Sequence, residues 1–259
     1  MNIVRVGLAL LSAGIGAGRA ASDPARAAAF EANARLAHTI NFGNMLEAPQ
    51  EGVWGLKLEV RFFALAQSAG FTAIRLPIRW NAHAGQAAPY PVDPAFLARV
   101  DWAVAQARKR NLTVILDFHH YEELMTDPAE HRARFLGLWA QVAAHYRSQP
   151  ASVLFEVLNE PNGKVEAVWN ELQAQALVVI RRSNPARVVI VGPGGWNSAD
   201  RLAGLKVPAD PNVIVTFHTY TPMTFTHQGA DFVQPPLSAG VPWPAGGLMP
   251  ANGWQNWSW

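Results

Sequence analysis

Val153 to Leu158 is a short apolar run with the length and β-branched content of a buried strand, and it breaks off into Asn159-Glu160-Pro161. A carboxyl group at the end of such a strand can give a proton to a leaving group and take one back from water, which is general acid–base chemistry. Pro161 disfavours helix for the residue before it, so Glu160 is expected to be extended and to sit on the strand's last residue. Taken alone, the tripeptide also reads as a surface turn. Other chemically able residues sit in comparable places: Arg75 inside Phe71 to Pro77, His119-His120 after Leu112 to Phe118, and His218 and Tyr220 at the end of Val213 to His218. His218 and Tyr220 are two apart and share a strand face. His119 and His120 are adjacent, so on a strand they would point to opposite faces, and no His-Glu-x-x-His or comparable spacing supports zinc. Neither metal nor cofactor is expected.

The elements that must position these groups follow one cadence. Strands are expected at 37–42, 71–77, 112–118, 153–158, 187–192 and 213–218, with helices between them at 58–69, 97–109, 132–146 and 165–183, a weaker one near Arg201, and a leading helix at 25–37. Apolar strands alternating with helices make a parallel sheet covered on both faces. Polar residues recur at one end of these strands: Asn44 and Glu47 after the first, His119 and His120 after the third, Asn159 and Glu160 after the fourth, Gly194 and Trp196 after the fifth, and His218 and Tyr220 at the sixth. That recurrence argues for the mouth of a TIM barrel, (β/α)8, over a doubly wound sheet, with six of its βα units recognisable.

Half of the 259 residues are hydrophobic, ample for a large core. Arg5, the apolar run Val6 to Ala17 and the small residues at Gly18 and Ala20 read as an export signal over 1–20, too short for a membrane span, so that the protein is expected to be secreted or periplasmic. That segment carries Arg5 and Arg19 and no acid, so the formal charge of +2 falls to zero without it. Lys and Arg form no stripe, which argues against nucleic acid as a partner. The chain has no cysteine, so stability must come from the core. Residues 21–234 are expected to form the barrel, and 235–259 a Pro-, Gly- and Trp-rich tail with no clear period.

His119-His120-Tyr121-Glu122-Glu123-Leu124-Met125, Asn159-Glu160-Pro161, His218-Thr219-Tyr220 and Phe225-Thr226-His227-Gln228-Gly229-Ala230 together resemble a family 5 glycoside hydrolase of clan A, nearest to bacterial endo-β-glucanases and mannanases, over about Phe30 to Val233. The resemblance implies retaining hydrolysis of β-1,4-linked polysaccharide by two glutamates, with Glu160 as the acid/base, its pKa raised by burial and a neighbouring carboxylate. It further implies that Asn159 bonds the sugar 2-hydroxyl, that His218 supports the acid/base, and that Tyr220 bonds the nucleophile. His119 would pack under the site and His120 touch sugar, while Asn44, Glu47 and His227 would contact sugars further from the scissile bond.

The same resemblance implies that Arg75 pairs with a nucleophilic glutamate at the end of a seventh strand. No such residue occurs: the last acidic residue is Asp231, and neither a Gly-Glu-Phe-Gly strand end nor the tryptophan of an eighth strand is recognisable. A buried guanidinium without a carboxylate is costly, so Arg75 needs another partner. Glu156, of the same parity as Glu160, can face it from deeper in the barrel but is not expected to replace the nucleophile. Thr219 and Phe232 stand where aromatic residues are common in the family. The expectation is an incomplete catalytic domain, with two alternatives: an inactive carbohydrate-binding relative that uses His120, Tyr220 and tail tryptophans such as Trp243, or a non-functional fragment with open sheet edges.

Overall fold

The computed structural model describes residues 26–243; the expected export signal at 1–20 and Trp254, Trp257 and Trp259 lie outside the described residues. Strands β1 (Thr39–Asn41), β2 (Ala73–Ile78), β3 (Thr113–Phe118), β4 (Val153–Glu156), β5 (Val189–Val191) and β6 (Val213–Val215) form one six-stranded sheet. Every neighbouring pair is parallel and the spatial order is the chain order. A sheet without a reversal of order has no switch point, which is the wall of a barrel rather than a doubly wound sheet.

Helices α1 (Ala27–Arg35), α2 (Val60–Ser68), α3 (Pro94–Arg108), α4 (Glu122–Thr126), α5 (Pro128–His145), α6 (Trp169–Arg181) and α7 (Met223–Thr226) accompany the strands. Two of the boundaries follow from caps. Asp93 accepts from Ala95 N and Asp127 from Glu130 N, each followed by proline at the first helical position, so α3 and α5 start three or four residues earlier than periodicity alone places them. The helix expected at 165 begins instead with a 3-10 turn, Gly163–Val168, and the weaker one near Arg201 is a 3-10 turn throughout, Ala199–Gly204.

Strand parity divides the sheet into two faces. Val114, Leu116, Phe118, Val153, Phe155, Val189 and Val191 turn outward into the main core with α3, α5 and α6. Two tryptophans of these helices reach back to the sheet: Trp139 Nε1 donates to Val157 O at 3.0 Å and Trp169 Nε1 to Gly192 O at 2.8 Å, fixing the chain just past β4 and β5. On the inner face Ile115, Leu154 and Ile190 form a small separate cluster with Ala32 of α1, against which Leu36 and Ile214 pack. Helix α1 precedes β1 in the chain yet touches residues of β3, β4, β5 and β6, so the sheet curls around it and its apolar side plugs the bottom of the bowl. One step up the same strands come Asp117 and Glu156, register partners across β3 and β4. The sequence alternation thus places an apolar floor, then a charged layer, then the mouth.

The sheet edges are β1 and β6, whose burial is partial. A hollow of about 660 Å³ beside β6 is lined by Phe30, Asn33, Val207, Pro208, Val213 and Val215, among others; it holds none of the expected site residues.

Candidate active site

Arg75 is the hub of the charged layer. Its Nε donates to Glu156 Oε2 at 2.7 Å, NH2 to Glu156 Oε1 at 2.8 Å and to Asn159 Oδ1 at 2.9 Å, and NH1 to Asn41 Oδ1 at 3.0 Å. Asp117 Oδ2 lies 2.9 Å from NH2 as a further ion-pair partner. The guanidinium therefore ties together side chains on or just after β1, β3 and β4, and its need for a carboxylate is met twice within these residues. Glu156 faces Arg75 as parity predicts. Asp117 and Asn41 were not anticipated, although Asp117 is the one charged residue in an apolar strand and shares the parity of His119.

Glu160 does not sit on the end of β4 in extended geometry. The strand ends at Glu156, and Glu160 occupies a loop with φ of 49°. The bias exerted by Pro161 is overridden by tertiary bonds on both sides, Asn159 N donating to Phe118 O at 2.9 Å and Trp196 N to Pro161 O at 3.2 Å, and by a local bond from Asn162 Nδ2 to Glu160 O at 2.8 Å. Asn44, His120, Glu160, Trp196 and Asn197 also have left-handed φ, and each follows the carboxyl end of a strand. Strain of this kind concentrates where a rigid scaffold must aim side chains.

The result brings Glu160 to His218 and Tyr220. His218 Nδ1 is 2.7 Å from Glu160 Oε1, and Tyr220 OH donates to the same oxygen at 3.2 Å. His218 thus lies where an acid/base support is expected. Tyr220, expected to bond a nucleophile, meets Glu160 instead. Its ring packs edge-on against His227 at 4.8 Å, and His227 in turn is 5.9 Å from Phe232, so the loop after β6 lines one rim.

Across the mouth, the alternation rule fails for His119 and His120. Both lie past the end of β3, and His120 has φ of 52°, so the rings meet edge-on at 4.5 Å rather than facing apart. His119 Nδ1 lies 2.5 Å from Asp117 Oδ2. His120 packs edge-on against the exposed Trp54 at 5.6 Å, an aromatic of the loop after β1 whose position no sequence signal marks. Glu47 is buried and accepts from the backbone N–H groups of Asn44 and Met45, which holds the loop after β1 in its left-handed turn at Asn44. Its oxygens are occupied by its own loop. Among the described residues no group of three or more His, Asp or Glu side chains could hold a metal ion.

Burial pushes the Glu160 carboxyl up, but the hydrogen bonds and charge of His218 and the bond from Tyr220 outweigh it, leaving the group below the usual glutamate range. That reverses the sequence expectation of a raised value, because the groups crowding Glu160 are donors rather than carboxylates. Asp117 is pushed up to about 6 by complete burial, against the pull of Arg75. One guanidinium cannot fully neutralise two carboxylates, and the drier one holds a proton more readily. His119 is pushed down to about 4 by burial and then by Arg75.

Asp117 and His119 have opposite linkages. The raised Asp117 value makes stability fall as pH rises from about 4 to about 6; the lowered His119 value makes it rise between about 4 and 6.5. These two contributions nearly offset each other, and the lowered values of His83 and His120 add a rise, so wild-type stability to urea should rise gently with pH over that window. Asp117→Asn removes the falling contribution and should make that rise steeper; a slope unchanged from wild type would contradict the assignment.

The match to the family described as Cellulase (glycosyl hydrolase family 5) covers residues 38–241. Endoglucanase H of Acetivibrio thermocellus is 36% identical over 208 residues, which are 80% of this chain and 23% of that protein, so the chain spans about a quarter of this relative's length. A hyperthermophilic endo-β-1,4-glucanase solved with substrate superposes with a TM-score of 0.81 at 42% identity, over 83% of this chain and 70% of that one. Thermotoga maritima Cel5A, solved with mannotriose and with cellobiose, superposes with a TM-score of 0.78 at 45% and 46% identity, over 80% of this chain and 68% of that one. With its consecutive parallel strands and the match running through every strand described above, the chain belongs to glycosyl hydrolase family 5.

Proposed function

We propose that the protein is an exported glycosidase acting on β-1,4-linked glucan, with Glu160 as the acid/base that protonates the leaving oxygen. The observation that carries this reading is the seat of Glu160: a partly exposed carboxylate at the barrel mouth, bonded by His218 and Tyr220 and set beside the Arg75 layer. Ground-state contacts that hold the carboxylate ionised suit the second half of a retaining cycle, in which it takes a proton from water. For the first half it must be protonated, so a negative group arriving nearby would have to lift its pKa.

Asn159 has its Oδ1 committed to Arg75, which leaves Nδ2 as a donor to a sugar hydroxyl. His120 beside Trp54, and Tyr220 beside His227, provide aromatic and polar walls. The structural relatives solved with cellobiose and with mannotriose support β-1,4-linked hexose chains as the substrate class.

Retaining hydrolysis needs a second carboxylate about 5 Å from the first. Asp117 and Glu156 are both held by Arg75, and no glutamate follows Glu171 in these residues. That observation favours a second reading, in which the 259-residue chain binds glucan without turnover. Reducing-end release from a soluble β-1,4-glucan and from a β-mannan, alongside cellotetraose calorimetry, separates the two. Release, greater on glucan, is expected on the first reading. Binding without release selects the second. Neither binding nor release would overturn both.

A further inference from the structure

We propose that Asp117 is a positioning residue that holds His119 with its proton on Nδ1, so that His119 Nε2 faces the mouth as a hydrogen-bond acceptor for a sugar hydroxyl. The sugar half of this statement rests on the glucan-binding reading; the tautomer half stands without it.

The geometry leaves little choice of proton position. Asp117 Oδ2 lies 2.5 Å from His119 Nδ1 and 2.9 Å from Arg75 NH2, whereas its other oxygen, Oδ1, has no hydrogen-bond partner among the described residues. A proton on Oδ2 would be pressed against a guanidinium, so any proton that Asp117 binds belongs on Oδ1. Oδ2 is therefore an acceptor whether or not Asp117 is ionised, and the close contact from Nδ1 must be a donated hydrogen bond. Burial and Arg75 keep the ring neutral near pH 7, so it carries one proton only. With that proton on Nδ1, Nε2 presents a bare lone pair.

Nε2 is also available. It has no hydrogen-bond partner among the described residues, yet it is not one of the buried unsatisfied atoms, which places it on the accessible side of a ring that is 13% exposed. The other polar atoms here are already assigned. Every nitrogen of Arg75 is engaged within the charged layer, and Asn159 offers a donor. A sugar hydroxyl both gives and takes hydrogen bonds, so an acceptor opposite a donor lets two hydroxyls of one ring be held in complementary senses. A free imidazole favours the proton on Nε2, which would place a second donor there and lose that complementarity. Asp117 acts at one remove, buried behind the ring, and touches no ligand itself.

The test is the nitrogen spectrum of the imidazoles in the chain labelled with nitrogen-15 at histidine, at neutral pH, in wild type, Asp117→Asn and Asp117→Ala. In wild type His119 should show a protonated Nδ1 and an unprotonated Nε2. Asp117→Asn can set its amide oxygen where Oδ2 stood and should keep that pattern. Asp117→Ala should move the proton to Nε2 and weaken cellotetraose binding roughly tenfold, the loss of about one net hydrogen bond. Should Asp117→Ala fail to fold, the wild-type spectrum and the asparagine variant still decide. A wild-type His119 protonated at Nε2, or an alanine variant that keeps the proton on Nδ1, overturns the proposal. Added cellotetraose should shift the wild-type Nε2 resonance. Saturable binding that leaves it unmoved overturns the acceptor role alone; no binding at all overturns that role together with the glucan reading, while the tautomer result is judged separately.

Discussion

Arg75→Met is expected to destabilise the protein by about 3–5 kcal/mol, a large share of the stability of an ordinary domain. The methionine keeps much of the bulk but strands Asp117 and Glu156, register partners on adjacent strands whose side chains are almost wholly shielded from water. It also frees Asn41 and Asn159, whose Oδ1 atoms bond the guanidinium. Two carboxylates left facing each other will hold protons more tightly, so the deficit should shrink as pH falls. Arg75→Lys should lie between: it restores charge but not the fork that reaches Asn41, Glu156 and Asn159 together. Urea unfolding of the three proteins at neutral and acid pH measures this. A methionine variant within about 1 kcal/mol of wild type would mean that the guanidinium does not hold this layer together.

Glu160→Gln should lower hydrolysis of β-1,4-glucan by roughly 10²–10⁴-fold while leaving cellotetraose affinity within a few-fold. The amide keeps the shape and cannot deliver a proton. The loss should fall mainly on natural glycosides, whose alkoxide leaving group needs protonation; an aryl glycoside with an acidic phenol leaves without help, so its bond-cleavage step should be spared. Folding should change little, because the carboxylate is partly exposed and its partners can bond an amide oxygen. His218→Ala removes the larger of the two supports that lower the Glu160 pKa and should move the alkaline limb of the kcat/KM profile, where Glu160 loses the proton it must deliver, to higher pH. Equal losses of kcat/KM, which reports the bond-cleavage step, on glucan and aryl substrates in Glu160→Gln would point to a role other than proton delivery; turnover of both slows in any case, because the variant also lacks the base of the second half.

The barrel wall was legible because its physical signals are local. Leu112 to Phe118 is a continuous apolar run before a pair of polar residues, and it forms β3 with one residue of difference at its start. The same holds for β4, whose run overshoots by two residues because Val157 and Leu158, still buried, have already left the ladder. The site residues were legible as types but not as geometry. Parity correctly put Glu156 opposite Arg75, since both lie in strands. It failed at His119-His120, and the rule for residues before proline failed at Glu160, because both stretches lie beyond the strand ends where backbone bonds to neighbouring loops set φ. Asp117 was hidden for another reason: a lone acid within an apolar strand has meaning only once the guanidinium beside it is known.

The most direct test of a glucan site built around Glu160 is a cellotetraose titration of the chain labelled with carbon-13 at the glutamate carboxyls and nitrogen-15 at histidine. Saturable shifts are expected at Glu160, His218 and His119, with the glutamates of the outer helices unmoved. Saturable binding that shifts only resonances remote from the strand ends, or no response from Glu160 at saturation, would contradict it.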